Sequence, residues 1–114
     1  MLTLEGLKEF GADTVKGLER CMNKEDFYFK LIGMALNDPK FEILKEAIIS
    51  KDLDKAFEAA HALKGTTGNL SLDPIYEPVC EITELLRART DTDYTELLEK
   101  VLQKKEELRA LAEG

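Results

Sequence analysis

From Lys24 to Ala112 apolar residues recur at helical spacing in long stretches separated by breaks of only a few residues. That rhythm leaves a bundle of helices as the natural fold, because short connections between long helices force antiparallel neighbours. The first stretch, Lys24 to about Leu36, is interrupted by Asn37-Asp38-Pro39 and resumes from Lys40 to Ser50, as one kinked helix or two. The next helix starts near Lys51 or Asp52, where an aspartate can accept unpaired backbone N–H groups at the positive end of the helix dipole. Asp73 followed by Pro74 reads as a cap with proline at the first helical position, opening a helix to about Arg89 with Pro78 near its first turn. After Thr90-Asp91-Thr92-Asp93, a last helix reaches Ala112 with Tyr94, Leu97, Leu98, Val101, Leu108 and Leu111 inward. Ahead of these, residues 3–10 and 12–22 form a short helical lead-in broken near Gly11, with Leu4, Leu7, Val15 and Leu18 at helical spacing. The expected fold is all-α, an up-and-down antiparallel four-helix bundle (24–112) with short N-terminal helices (1–22), in a single domain spanning 1–114.

Bulk properties narrow the function classes. A net charge of −7 argues against general nucleic-acid binding, which depends on clustered lysine and arginine. Cys21 and Cys80 are far apart and unaccompanied by further cysteine or histidine, so they read as reduced, buried, small apolar residues rather than a zinc site or a disulfide framework. No stretch approaches the roughly 20 apolar residues of a membrane span, and Met1-Leu2-Thr3-Leu4-Glu5 lacks the basic start of a secretory leader. A cytoplasmic protein is expected.

The chemistry concentrates around the one histidine. On an ideal helix of about 100° per residue with Leu53 at zero, Leu53, Ala56, Phe57, Ala60, Leu63, Thr67 and Leu70 gather in an arc of roughly 140° centred near 320°. His61 falls near 80°, about 120° from that centre, at the solvent boundary. Gly65 and Gly68 fall near 120° and 60°, on the histidine's own stripe, although each costs a helix roughly 1 kcal/mol relative to alanine. Two explanations are open for them: room for something that must approach the histidine, or a packing role, admitting a neighbouring helix or ending this one. Lys64, about 60° around from His61, is placed to neutralise a group of nearly two negative charges attached to the imidazole.

Ala60-His61-Ala62-Leu63-Lys64-Gly65-Thr66-Thr67-Gly68-Asn69-Leu70 resembles the signature of the histidine phosphotransfer domains of two-component phosphorelays. Histidine, leucine, lysine and glycine match at positions 0, +2, +3 and +4, with a small residue at +7 and an aliphatic one at +9. The likeness covers about residues 24–112. The family often carries glycine where this chain has Ser71, a departure expected to affect the turn more than the chemistry. The resemblance implies that His61 accepts a phosphoryl group, that Lys64 helps hold it, and that Gly65 leaves room for the partner's active-site loop. The implied partner is the receiver domain of a response regulator or hybrid kinase, which brings its own aspartate, lysine and magnesium ion; the chain itself needs no cofactor or metal and has no kinase activity. In keeping with this, the sequence has no Gly-rich phosphate loop or Walker motif. A monomer is expected.

Docking needs apolar surface, and Phe27-Tyr28-Phe29 cannot all face one core. Phe27 and Leu31 cluster with Met34 and Ala35, whereas Phe29, Ile32 and Leu36 fall on another side. The second set, with Gly65 and Gly68, is the docking candidate; coverage by residues 3–22 is the other reading. Glu58, one turn before His61, either orients the ring or is an exposed charge. Glu58 and His61 also form the Glu-x-x-His spacing of di-iron bundles, which require the motif twice. A sensor-kinase dimerisation helix would carry a proline a few residues beyond the histidine, and none is there. A plain helical interaction module, with His61 incidental, is the remaining rival.

Overall fold

The computed structural model describes residues 1–114 as seven helices: α1 (Leu4–Phe10), α2 (Thr14–Arg20), α3 (Glu25–Leu36), α4 (Lys40–Ile49), α5 (Leu53–Asn69), α6 (Asp73–Arg87) and α7 (Thr95–Glu113). The break at 37–39 is complete: the Asp38 carboxylate accepts the Lys40 N–H at 2.9 Å, closing a turn that separates α3 from α4. Asp52 caps α5 as expected, accepting the Lys55 N–H at 3.1 Å. Asp73 does not cap α6. Leu72 occupies that position, Asp73 and Pro74 are the first helical residues, and Pro78, one residue further in than the sequence suggested, is buried. None of the helices is long and apolar enough to cross a membrane.

Consecutive helices from α4 onward lie against one another, with α4 on α5, α5 on α6 and α6 on α7. Arg89, just past the end of α6, pairs with Asp54 at the start of α5, while Gly68 at the end of α5 abuts Tyr76 at the start of α6, so these two run antiparallel. Ala56, Ala59, Ala60, Leu63 and Thr67 of α5 are buried against Ile75, Val79, Ile82 and Leu86 of α6 and Leu98, Val101 and Leu108 of α7. The histidine helix is thereby fixed in rotation by one wall of its own small and aliphatic residues. Val15, expected inward, is 64% exposed, and Cys80 is only partly covered, unlike Cys21.

Five helices end in the same way. A residue in the left-handed region follows each of α1, α2, α4, α5 and α6: Gly11, Met22, Lys51, Ser71 and Arg89. The next N–H then reaches back five residues, Ala12 to Leu7, Asn23 to Leu18, Asp52 to Ala47, Leu72 to Thr67 and Thr90 to Leu85, at 2.7–3.0 Å. This is the Schellman closure, which satisfies carbonyls left over at a helix C-terminus. Only one of the five uses glycine, and the other four accept about 1 kcal/mol or more of left-handed strain. The expected helix-stop signal was therefore missing from four turns that nonetheless form it.

The N-terminal helices cap the end of the bundle where α5 turns into α6. The carbonyls around that turn are taken up one by one. Arg20 Nη1 donates to Gly68 O at 2.6 Å and to Ser71 Oγ at 3.1 Å, Tyr28 Oη donates to Leu70 O at 2.7 Å, and Asp13 N donates to Ser71 O at 3.0 Å. Tyr28 has no solvent exposure, and a Cβ on Gly17 would collide with its hydroxyl, so α2 sits directly on the tyrosine ring. Burial, followed by the charges of Cys21, Asp13 and Asp73, pushes the Tyr28 hydroxyl up to about 12.

Two outcomes follow from these contacts. Lys51→Gly, which relieves left-handed strain at a surface residue, stabilises the chain by about 0.5–1 kcal/mol, read as a higher urea midpoint at unchanged slope. Tyr28→Phe costs about 1–2 kcal/mol near pH 7, because the partner carbonyl is left buried. Since Tyr28 holds its proton more tightly folded than unfolded, wild-type stability falls as pH rises from about 10 to about 12. That portion of the alkaline slope disappears in Tyr28→Phe; an identical slope in both proteins would refute it.

Candidate functional site

His61 lies at the middle of α5 with its side chain exposed, on the side the helical wheel assigns it. Phe57, one turn earlier, stacks on the imidazole with ring centroids 5.6 Å apart and planes at 24°. Arg87 of α6 lies 5.1 Å over the other ring, Phe57, and is held by Glu84 at 3.0 Å. The Arg87 guanidinium, first by its hydrogen bond and then by its charge, lowers the Glu84 carboxyl below its usual range, with smaller contributions from Lys64 and His61. Glu58, one turn before the histidine, is exposed.

A shallow cleft of about 490 Å³ opens beside the imidazole. Its α5 wall consists of His61, Lys64, Gly65, Gly68 and Asn69, so the structure brings together the stripe drawn from the sequence. The two glycines on it differ. A Cβ on Gly65 would meet nothing within 4 Å, whereas one on Gly68 would stand 2.8 Å from the Tyr76 ring of α6. Gly65 keeps a space open; Gly68 is already filled by a helix packing close, the alternative kept open for it above. The two threonines between them satisfy their own hydroxyls by donating back to the carbonyls four residues earlier, Thr66 to Ala62 O at 3.2 Å and Thr67 to Leu63 O at 2.7 Å.

The opposite wall was not read from the sequence. It comes from α2, through Lys16 and Arg20, and from the start of α6, through Asp73 and Tyr76. Burial raises the Asp73 carboxyl above its ordinary value, the charges of Asp13 and Glu77 add to this, and Lys16 and Arg20 act against it. A basic residue every fourth position on α2 was the only available signal, and such spacing by itself describes any solvated helix face.

The apolar docking set requires correction. Ile32 has no solvent exposure, Leu36 is buried and Phe29 is half-buried against the core. Of the other apolar set, Met34 is 61% exposed and Phe27 39%, while Leu31 is half-buried and Ala35 buried. The Tyr28 hydroxyl fixes the rotation, since with Tyr28 tied to Leu70 O, residues 32 and 35–36 follow it inward. Ile32 is a core residue and forms no part of a docking surface. No group of three or more His, Cys, Asp or Glu side chains is placed to hold a metal ion.

The difference between the glycines is measurable. Gly65→Ala leaves stability unchanged or raises it by up to about 1 kcal/mol, from helix propensity alone. Gly68→Ala forces Tyr76 aside and comes out about 1–2 kcal/mol less stable than Gly65→Ala. Equal urea midpoints would contradict the assignment.

Among known protein families, the model of the Hpt domain matches residues 36–114, which run from the last residue of α3 through the whole of α4–α7. No curated protein and no solved structure gives a significant match.

Proposed function

The chain belongs to the Hpt domain family, and from that premise we propose that it is a phosphorelay intermediate, accepting a phosphoryl group on His61 from a receiver-domain aspartate and passing it to another. The observation that carries this reading is the single exposed imidazole with an ammonium, Lys64, and an open glycine position, Gly65, along the same helix stripe. An exposed neutral imidazole is a competent nucleophile near pH 7. Its Nε2 lone pair forms the N–P bond as the aspartyl P–O bond breaks, and the electron pair of that bond leaves on the carboxylate. Return transfer is the same exchange in reverse.

Such a reaction depends on in-line placement and charge neutralisation more than on many catalytic groups, so a sparse site suffices when the partner brings its own magnesium ion and lysine. Phe57 supports this placement by stacking on the ring, and Lys64 supplies the counter-charge. Gly65 admits the partner's loop, which a side chain would obstruct. We place this chemistry in the cytoplasm, with a monomer meeting one receiver at a time.

His61→Gln tests the proposal. Incubated with phosphoramidate or a phosphorylated receiver domain, the wild type gains one acid-labile phosphoryl group by intact mass, and the variant gains none while melting at the wild-type temperature. Wild-type protein that stays unmodified with every donor, although folded, refutes the carrier reading in favour of an interaction module.

A further inference from the structure

We propose that Lys16 of α2 is a second phosphoryl-binding cation of the His61 site, contributed by a part of the chain that the family match does not cover. The inference rests on the carrier reading above and adds to it the far wall of the cleft.

Three basic side chains border that cleft, and they are not equivalent. Arg20 is a strut: its Nη1 is committed to Gly68 O, Asn69 O and Ser71 Oγ at 2.6, 3.4 and 3.1 Å. Lys64 stands on the histidine's own helix, and Lys16 lines the same cleft from α2. The side chain of Lys16 is exposed and has no ion-pair partner within 4 Å, so its charge is available to a ligand. Two carboxylates, Asp13 and Asp73, also line the cleft; three cations against two leave a positive excess. Asp13 is partly occupied, accepting the Lys16 N–H at 3.1 Å as the cap of α2.

The position of Lys16 is built rather than incidental. Its backbone is held on one side by the Asp13 cap, and Asp13 N is bound to Ser71 O. On the other side Gly17 is seated on the Tyr28 ring. A flexible lysine on a fixed backbone suits a ligand that comes and goes, because the ammonium can follow the phosphoryl group from the donor's aspartate to His61. A dianionic group held between Lys16 and Lys64 would have one cation on each side.

The experiment compares initial rates of His61 phosphorylation for wild type, Lys16→Gln, Lys16→Arg and a control, Lys8→Gln, an exposed lysine of α1 away from the cleft. Each is run with phosphoramidate, in which the P–N bond breaks and ammonia leaves with a solvent proton, and with a phosphorylated receiver domain. The expected result is a loss of roughly threefold or more for Lys16→Gln with both donors, recovery in Lys16→Arg, and no change in Lys8→Gln or in any melting temperature. Equal rates for Lys16→Gln and wild type overturn the inference alone. A loss seen only with the receiver also overturns it, assigning Lys16 to protein docking instead of to the phosphoryl group. A wild type that takes no phosphoryl group removes the carrier reading itself.

Discussion

The end of the histidine helix has to dispose of its last carbonyls, and the way this chain does so organises the rest of the molecule. A helix C-terminus leaves several C=O groups without intrahelical partners, and burying them unpaired would cost about 1–3 kcal/mol each. Here the partners come from elements about 40–60 residues earlier in the chain: the Arg20 guanidinium, the Tyr28 hydroxyl and the Asp13 N–H reach Gly68, Leu70 and Ser71. These bonds join the N-terminal helices to the bundle and set the rotation of both α2 and α3. The choice of which faces of α2 and α3 become core and which become surface is made at this turn.

Ser71 shows the same constraint at one residue. Its φ of +54° lies in the left-handed region, where glycine is unstrained and serine is not. The family's frequent glycine at this position has that physical explanation. In this chain the strain is offset by what a serine adds, an Oγ that accepts from Arg20 and so helps hold α2 beside the cleft. A departure in the motif is thus matched by a contact outside the part of the chain where the motif lies.

The cleft beside His61 has a close-packed floor with lysine side chains along its borders. The floor is α5, locked by small residues that allow close packing on α6 and by threonine hydroxyls that satisfy themselves inside the helix. The charges are lysines on flexible stems, Lys64 from α5 and Lys16 from α2, with Arg20 spent on structure. Keeping the groove small-sided at Gly65 while filling it at Gly68 confines access to one end of the stripe, next to the imidazole.

Helical period, turn residues and the spacing of one histidine, one lysine and two glycines were enough to establish the all-helical class, the α5 core face and the exposed stripe that carries the histidine, because all of these depend on neighbours within a few residues. The places where α2, α4 and α6 stop were read closely, but the left-handed residues that close these helices and α5, namely Met22, Lys51, Arg89 and Ser71, escaped that reading, since no glycine announces them. Gly65 and Gly68 looked alike in sequence and differ in space only because Tyr76 arrives from another helix. Phe29 and Ile32 were left between a docking surface and a covered one for a similar reason: a helix with apolar residues on two sides does not reveal which side is covered, and the Tyr28 hydroxyl decided it. Local chemistry therefore placed the one histidine on an exposed stripe, while the second wall of its cleft was decided by tertiary structure, because satisfying the carbonyls of a distant helix end is what brings Lys16 and Arg20 there.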